Sequence, residues 1–318
     1  MSAVSLPAAS DLITGKTRGG TELMFDGLMA RLPAALKDAF QIIPSRVRDL
    51  DPVRPRLLWL HDLPNDPESA KLADAEYRKA FRKIIFVSHW QMERYHEVLN
   101  VPYSEAAVLK NAIEPIPAHK KPDGPIRLIY HTTPHRGLRL LVPVFQKLCE
   151  LHDDIELDVY SSFKVYGWDH YDAEFEPVFQ ACRDHPKIRY HGAVPNDQVR
   201  AALQQAHIFA YPSIWPETSC IAAIEALSAG CLVVCPGFAA LPETTANFAL
   251  MYPYTEDVNA HMNAFANVLN NAITYYKANR QALQPRLQFQ KQYCDAFYSW
   301  DVRLDEWVSL MQGLLARQ

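Results

Sequence analysis

Short apolar runs alternate along the chain with longer segments in which apolar residues recur every three or four positions. A short continuous run indicates a buried strand, and the longer spacing indicates a helix with one apolar face. The runs that predict strands are 56–60, 83–88, 106–111, 126–131, 155–161, 187–192, 207–213 and 231–236. The segments that predict helices are 89–100, 136–152, 196–206 and 219–230, the third with Asn196 as its N-cap. This alternation predicts an α/β protein with parallel sheets and right-handed crossovers.

A cluster of prolines and charged residues at 114–125 interrupts the alternation and predicts a linker. The chain has 318 residues, of which 49% are apolar and 21% are charged. Such a length and composition are typical of a globular protein of two domains. The linker therefore divides the predicted strands and helices into two Rossmann-like halves.

Charge and cysteine content narrow the class of protein further. The net charge of −4 gives no indication of a nucleic-acid partner. Six cysteines are scattered among apolar residues without a CxxC pair or metal-ligand spacing, which is typical of reduced, buried thiols. The first residues lack the pattern of a signal peptide, and no segment reaches the ~18–20 apolar residues of a membrane span. We therefore expect a cytoplasmic protein that could still touch a membrane surface.

Two acidic residues, Glu217 and Glu225, stand in the mostly apolar segment 211–234. The segment continues from a predicted strand, and in doubly wound sheets ligands bind beyond the carboxyl ends of strands. The start of the helix that follows offers unpaired N–H groups and a partial positive charge, which suit phosphate. Eight helical residues span up to ~12 Å, so the two carboxylates suit the sugar and ribose hydroxyls at opposite ends of a nucleoside diphosphate sugar.

Glu217 and Glu225, with seven residues between them, resemble the E-x(7)-E signature of retaining GT-B glycosyltransferases, family 4 in particular. Other segments resemble motifs of that family in the same order. They are KTRGGTE (16–22), WLHDLP (59–64), FVSHWQ (86–91), VLKNAIE (108–114), YHTTPHRGL (130–138) and the segment 190–213. The resemblance covers nearly the whole chain and is most specific over 187–243.

The resemblance implies an α/β fold of the GT-B type, with two Rossmann-like domains facing each other across a cleft. It places an acceptor-side domain at 1–118, to which a last helix at 297–318 returns, and a nucleotide-sugar-binding domain at 119–296. It also implies an enzyme that moves a sugar, with retention, from a UDP- or GDP-sugar to a glycan, a lipid-linked acceptor or another hydroxyl acceptor. Such an enzyme is expected to need neither a cofactor nor a metal ion.

Residue by residue, the resemblance implies catalytic roles for Glu217, His61 and Arg136. The residues that it implies in donor binding are His131, Arg136, Gly137, Val194, Thr218, Ser219, Cys220, Ile221 and Glu225, and those of the Gly-rich loop are Gly19 and Gly20. Two departures stand out: Thr218-Ser219-Cys220 replaces the family's Gly-Phe-Gly, and His131 and Arg136 replace its phosphate-binding Arg and Lys. Arg136 keeps a permanent charge, whereas His131 would be a weaker, pH-dependent replacement.

These side chains also have interpretations without a ligand. Glu225 could lie on a solvated helix face, and Glu217 could stabilise a helix start through the helix dipole. Arg136 could be a surface residue, His61 could make a structural hydrogen bond at a strand end, and Gly19 and Gly20 could form a plain turn.

Two further segments and two other functions stay open. The basic run 77–83 could be a solvated helix face or could meet an anionic membrane surface. The acids Asp49 and Asp51 could hold a divalent ion, but four neighbouring arginines favour ion pairs instead. The whole chain could also be a GT-B nucleotide-sugar epimerase, or a non-catalytic module that binds sugar nucleotides or glycans.

Overall fold

The chain folds into two compact units in the computed structural model, which describes residues 19–316. The first unit contains the described residues up to Asn111 together with those from Trp300 onward. The second unit is Ala112–Ser299. Each unit is built around its own parallel sheet.

Strands and helices alternate as the apolar pattern predicts. The strands are β1 (Gln41–Pro44), β2 (Arg56–Leu60), β3 (Lys83–Phe86), β4 (Ala106–Val108), β5 (Ile126–Tyr130), β6 (Ile155–Val159), β7 (Ile188–Tyr190), β8 (Ile208–Ala210), β9 (Leu232–Pro236) and β10 (Leu250–Tyr252). The α-helices are α1 (Gly20–Arg31), α2 (Ala34–Ala39), α3 (Ala75–Arg78), α4 (His89–Leu99), α5 (Leu138–Leu148), α6 (Asp172–Asp184), α7 (Asn196–Gln205), α8 (Ile221–Ser228), α9 (Leu241–Thr244), α10 (Val258–Ala278), α11 (Arg280–Phe297) and α12 (Trp300–Leu315). The 3-10 helices are Pro67–Ala73, Tyr103–Glu105, Pro134–Arg136, Phe163–Tyr166 and Asp169–Tyr171.

The sheet of the first unit has the strand order β1-β2-β3-β4, with every neighbouring pair parallel. Its central strands are apolar because both faces of a parallel sheet are covered. The last helix, α12, packs against α1 in this unit. A Cβ atom at Gly27 of α1 would lie only 2.3 Å from the ring of Trp300, so the two helices approach closely where Gly27 lacks a side chain.

The sheet of the second unit has the strand order β10-β9-β8-β5-β6-β7, again all parallel. The chain runs outward from β5 through β6 to β7, then returns to β8 on the other side of β5 and continues to β10. The order of strands therefore reverses between β5 and β8. At such a switch point the loops after the two strands diverge and leave a crevice for a ligand.

The predicted strands are present, most of them shorter at one or both ends, and two details differ from expectation. The first strand, β1, lacks a long apolar run and was not predicted from the sequence. The helix α7 has Pro195 at its N-cap position, so Asn196 is the first helical residue and does not cap it. Within residues 19–316, none of the helices combines the length and the apolar character that a bilayer crossing requires.

The boundaries between the two units also differ from the predicted ones, after residues 118 and 296. The structure divides the chain after Asn111 and before Trp300. The physical reason is that Ile113 and Ile116 are buried in the core of the second unit, and the Ile113 N–H donates to the Tyr298 carbonyl at 2.8 Å. The predicted linker is therefore attached to the second unit at its start.

Candidate functional site

The loops after β5 and β8 meet at the switch point of the second sheet. Gly137 has a φ of +131°, and a Cβ atom there would lie 2.2 Å from the carbonyl oxygen of Pro212. The Ile214 N–H donates to the Arg136 carbonyl at 3.4 Å, which joins the two loops a second time. Only glycine permits both this backbone conformation and this approach. The predicted phosphate-binding loop and the segment that leads to Glu217 are thus neighbours.

Arg136 and Glu217 form an ion pair between these loops. The Arg136 Nη1 lies 2.5 Å from the Glu217 Oε1, and the hydroxyl of Tyr211 donates to the same oxygen. Glu217 is 3% exposed, so this carboxylate is not a solvated acid at a helix start. Burial is the largest single influence on the pKa of Arg136 and lowers it, but the Glu217 carboxylate and the neighbouring Tyr166, Tyr211 and Cys220 together raise that pKa well above its ordinary value. The site therefore holds a permanent, oriented positive charge.

The loop after β5 carries several buried polar atoms without a protein partner. Among the described residues, no hydrogen-bond partner exists for His131 Nε2, Thr133 Oγ1, His135 Nδ1 or Arg136 Nε. Buried polar groups in native proteins are normally hydrogen-bonded, and each exception needs an explanation. Four such atoms within six consecutive residues, beside a buried ion pair at a switch point, are the arrangement expected of a binding site for a polar ligand.

His131 is brought to the site but not in the charge state that the sequence suggests. Burial lowers the pKa of His131 to about 3, and its ring lies 4.8 Å from that of Phe209. The imidazole is therefore neutral at pH 7 and can offer a hydrogen bond but no charge. The expectation of a pH-dependent cation at this position is wrong, because the apolar surroundings disfavour the charged form.

His135 belongs to the same loop and was missed in the sequence. Its ring stacks on Phe163 at 5.3 Å and meets the edge of Trp215 at 5.0 Å. Burial, and then the charge of Arg136, lower the pKa of His135 to about 3. Its place directly before Arg136 in a strand–loop–helix segment was the signal that could have identified it.

Glu225 lies on α8 and is 6% exposed, which excludes a solvated helix face. Its Oε1 accepts from Arg200 Nη1 at 2.8 Å and from Asn196 Nδ2 at 3.5 Å, both on α7. Burial raises the pKa of Glu225 above its ordinary value, and Arg200 opposes that shift. Arg200 was also missed, because it lies on a helix far from Glu225 in the sequence.

Four of the remaining candidates of the second unit surround the start of α8. Cys220 is its N-cap residue, Ile221 is the first helical residue, and Thr218 and Ser219 precede them. The first turn of α8 contains no acidic side chain that would compete with an anion for its N–H groups. Burial raises the pKa of Cys220 well above its ordinary value, so its thiol stays protonated. Val194 lies between β7 and α7, partly buried against the same core.

His61 and the glycine loop belong to the first unit. His61 follows β2 directly; its ring lies 4.7 Å from Trp59, and its backbone N–H donates to Ser45 Oγ at 3.0 Å. Burial lowers the pKa of His61 to about 4, so this imidazole is neutral at pH 7. Gly19 is the N-cap residue of α1 and Gly20 its first residue. The preceding part of the predicted loop, 16–18, lies outside the described residues.

Asp51, the second acid of the candidate metal-binding segment, makes its hydrogen bonds within its own loop. It accepts from the backbone N–H groups of Val53 and Arg54, and from the Arg54 side chain at 2.6 Å. These hydrogen bonds lower the pKa of Asp51 to about 2, and the bonds from Arg54 have the largest effect. Across residues 19–316, no three His, Cys, Asp or Glu side chains cluster in a way that could hold a metal ion.

The model of the family described as "Glycosyl transferases group 1" matches residues 113–284, more than half of the chain. A relative from Arabidopsis thaliana, named as one of the subunits of phosphatidylinositol N-acetylglucosaminyltransferase, is 31% identical over 171 residues, which are 50% of this chain and 35% of that protein. The matches to other curated relatives cover between 29% and 44% of their lengths. The chain thus matches less than half of each of these proteins.

Solved structures agree on the fold. A glycosyltransferase from Rickettsia africae superposes with a TM-score of 0.68 at 14% identity, covering 96% of this chain and 85% of that one. The pneumococcal O-GlcNAc transferase GtfA, in complex with UDP and GlcNAc, superposes with a TM-score of 0.65 at 13% identity, covering 92% and 60%. The solved structures show that the fold is of the GT-B type. The family model extends over the β5 and β8 loops and over both acids, Glu217 and Glu225. The chain therefore belongs to the group 1 glycosyl transferases.

Proposed function

We propose that the chain transfers a sugar from a nucleoside diphosphate sugar to a hydroxyl acceptor with retention of configuration. One observation carries the proposal: the loop of Arg136 holds buried polar atoms without protein partners, next to the ion pair of Arg136 and Glu217. A diphosphate and a sugar together supply the acceptors and hydroxyl groups that such atoms lack.

In this proposal the diphosphate lies between the loop of Arg136 and the start of α8. Breaking the glycosidic bond places negative charge on the departing phosphate oxygen. The charged Arg136, the neutral His131 and the backbone N–H groups at Ile221 and the residues after it would stabilise that oxygen. Thr218 and Ser219 would add hydroxyl groups at the same end of the helix.

The two carboxylates would act as hydroxyl acceptors at opposite ends of the donor. Glu217 is held by Arg136 and Tyr211 through one oxygen, Oε1, so Oε2 can accept from the sugar. Glu225 would accept from the ribose. For front-face transfer, the acceptor oxygen bonds to the anomeric carbon as the phosphate leaves, and the acceptor proton passes to the phosphate oxygen. Neither carboxylate then needs to move a proton, which agrees with their burial.

The relatives suggest which donor and acceptor to test first. The Arabidopsis relative bears the name of a phosphatidylinositol N-acetylglucosaminyltransferase, and the pneumococcal neighbour contains UDP and GlcNAc. We propose UDP-N-acetylglucosamine as donor and an inositol phospholipid as acceptor. The acceptor would bring a cytoplasmic enzyme into peripheral contact with a membrane, with other protein chains as partners. Arg136 and α8 would take the place of a metal ion at the diphosphate.

Incubation with a panel of UDP- and GDP-sugars tests this proposal. The reaction contains vesicles with or without phosphatidylinositol, and the assay measures both released nucleoside diphosphate and glycosylated lipid. Release that requires acceptor and yields a glycoside of the donor's anomeric configuration supports transfer. Release without an acceptor product indicates a hydrolase or a hydrolysing epimerase, and binding without turnover indicates a non-catalytic module. Glu217→Gln serves as the inactive control.

A further inference from the structure

Arg200 joins Glu225 to the beginning of the second unit. Its Nη1 donates to Glu225 Oε1 at 2.8 Å, and its Nη2 donates to the carbonyl oxygens of Glu114 at 2.8 Å and Pro115 at 3.3 Å. The guanidinium is thus held on one side by backbone carbonyls and presents its other side to the carboxylate. Its direction follows from the backbone and does not depend on another mobile side chain.

The contact with Arg200 opposes the effect of burial on the Glu225 carboxyl group. Its side chain is only 8% exposed, and burial of a carboxylate without a cation favours the protonated form. Burial is the largest influence on the pKa of Glu225 and raises it, while the hydrogen bond and charge of Arg200 lower it. Asn196, at 3.5 Å, is neutral and more distant, so it cannot replace the guanidinium. Without Arg200, the carboxyl group would hold its proton to a higher pH.

The geometry also determines which oxygen a ligand can use. Both donors from α7, Arg200 and Asn196, engage Oε1 of Glu225. The hydrogen bonds among the described residues therefore leave Oε2 as the acceptor for hydroxyl groups of a ligand. An ionised carboxylate accepts such bonds about twice as strongly as a neutral group.

We propose that Arg200 is a positioning residue for nucleotide binding: it fixes Glu225 in direction and keeps it ionised, so that Oε2 accepts the ribose hydroxyls. The inference rests on the proposed function, because it takes the ribose of a nucleoside diphosphate as the ligand of Glu225. Arg200 itself touches the carboxylate and the backbone, not the ligand. Lysine can supply the charge but not the two-sided fork, so it should substitute only in part.

The test compares Arg200→Met and Arg200→Lys with the wild type. Arg183→Met is the matched control, because Arg183 pairs with Glu176 on the exposed face of α6. Binding of UDP and of 2′,3′-dideoxy-UDP is measured by calorimetry between pH 5 and pH 8. In parallel, carboxyl NMR of ligand-free protein follows the titration of Glu225.

For the wild type and the control, loss of the ribose hydroxyls should weaken binding about tenfold to a hundredfold, as expected for bonds to a charged acceptor. For Arg200→Met, both ligands should bind with nearly equal, weaker affinity. In that variant the pKa of Glu225 should rise, and the acidic loss of UDP affinity should move to higher pH. Arg200→Lys should bring the pKa of Glu225 close to that of the wild type. It should restore the difference in affinity between the two ligands less completely.

Different outcomes would contradict the role of Arg200 and the proposed function. If the wild type binds UDP and Arg200→Met distinguishes the two ligands as well as the wild type does, the positioning role is overturned and the proposed function is not. An unchanged Glu225 titration in Arg200→Met has the same meaning. If the wild type binds no nucleoside diphosphate, including GDP, the proposed function is overturned together with this inference.

Discussion

Gly137 and Pro212 are in backbone contact: a Cβ atom on the glycine would stand 2.2 Å from the carbonyl oxygen of the proline. This contact joins the loop that ends at α5 to the loop that leads to Glu217. The distance between the guanidinium of Arg136 and the carboxylate of Glu217 therefore depends on the absence of one side chain at Gly137.

We expect Gly137→Ala to lower turnover by at least tenfold and to destabilise the protein by more than the ~1 kcal/mol typical of alanine at a positive φ. The reason is that a backbone oxygen, unlike a flexible side chain, cannot move away alone. Gly124→Ala is the matched control, since Gly124 also has a positive φ of +98° but has open space around it. Denaturant unfolding and steady-state kinetics measure both effects. Equal behaviour of the two variants would show that the loop contact is unimportant.

Arg136→Ala should reduce turnover by a factor on the order of 10²–10³, as the loss of one preorganised donor does at an oxyanion. Arg136→Lys should recover part of the activity, because it retains a positive charge. The control is Arg139→Ala, since Arg139 lies at the start of α5 and makes an exposed pair with Glu174 of α6. Circular dichroism must show folded protein, because Glu217 is left buried without its cation. Near-normal activity of folded Arg136→Ala would remove the β5 loop from the diphosphate site.

Replacement of Glu225 and replacement of Glu217 should affect different quantities, nucleotide affinity for the first and kcat for the second. Glu225→Gln should mainly weaken binding of free UDP, because ribose contacts exist before and during the reaction. Glu217→Gln should mainly lower kcat, because sugar contacts gain importance as the glycosidic bond breaks. Calorimetry with UDP and initial rates with the UDP-sugar separate the two effects. The assignment fails if Glu225→Gln binds UDP as tightly as the wild type.

The buried histidines should make the protein less stable in acid. The folded-state pKa of His131 and that of His135 are about 3, below the ordinary value of 6.5. The unfolded chain therefore takes up protons first, and stability present above pH 6.5 is lost as the pH falls toward 3. We expect the free energy of unfolding to decline between pH 7 and pH 4, and His131→Asn to reduce that decline. His170→Asn, at an exposed position, is the control, and guanidinium unfolding at each pH gives the measurement.

Transfer should survive excess EDTA with little loss, because Arg136 and the start of α8 supply the positive charge at the diphosphate. Asp49→Ala should leave donor binding intact. Asp51→Ala should act on loop stability instead, since Asp51 bonds to Val53 and Arg54. The assay is glycoside formation with EDTA, and again after addition of Mg²⁺ or Mn²⁺. Strict dependence on either ion, abolished by Asp49→Ala, would contradict the proposed site.

The local pattern of apolar residues was sufficient to predict the alternation of buried strands and helices. The runs around β2, β5 and β9 are apolar because both faces of a parallel strand are covered, and this burial can be read without knowing which strands are neighbours. The position of Glu217 and Glu225 around the start of α8 follows in the same way from a strand, a proline-containing loop and a helix in succession. These features depend on residues that are close together in the chain.

Tertiary structure alone decided the order of the strands and the state of the site. The reversal between β5 and β8 places Arg136 beside Glu217 across 81 residues of sequence, and Arg200 reaches Glu225 across 25. The neutral state of His131 is also a tertiary property, because a pKa responds to burial and to neighbouring charges from other elements. Periodicity along the chain carries no information about such contacts: each depends on where the loops after two strands come together in space.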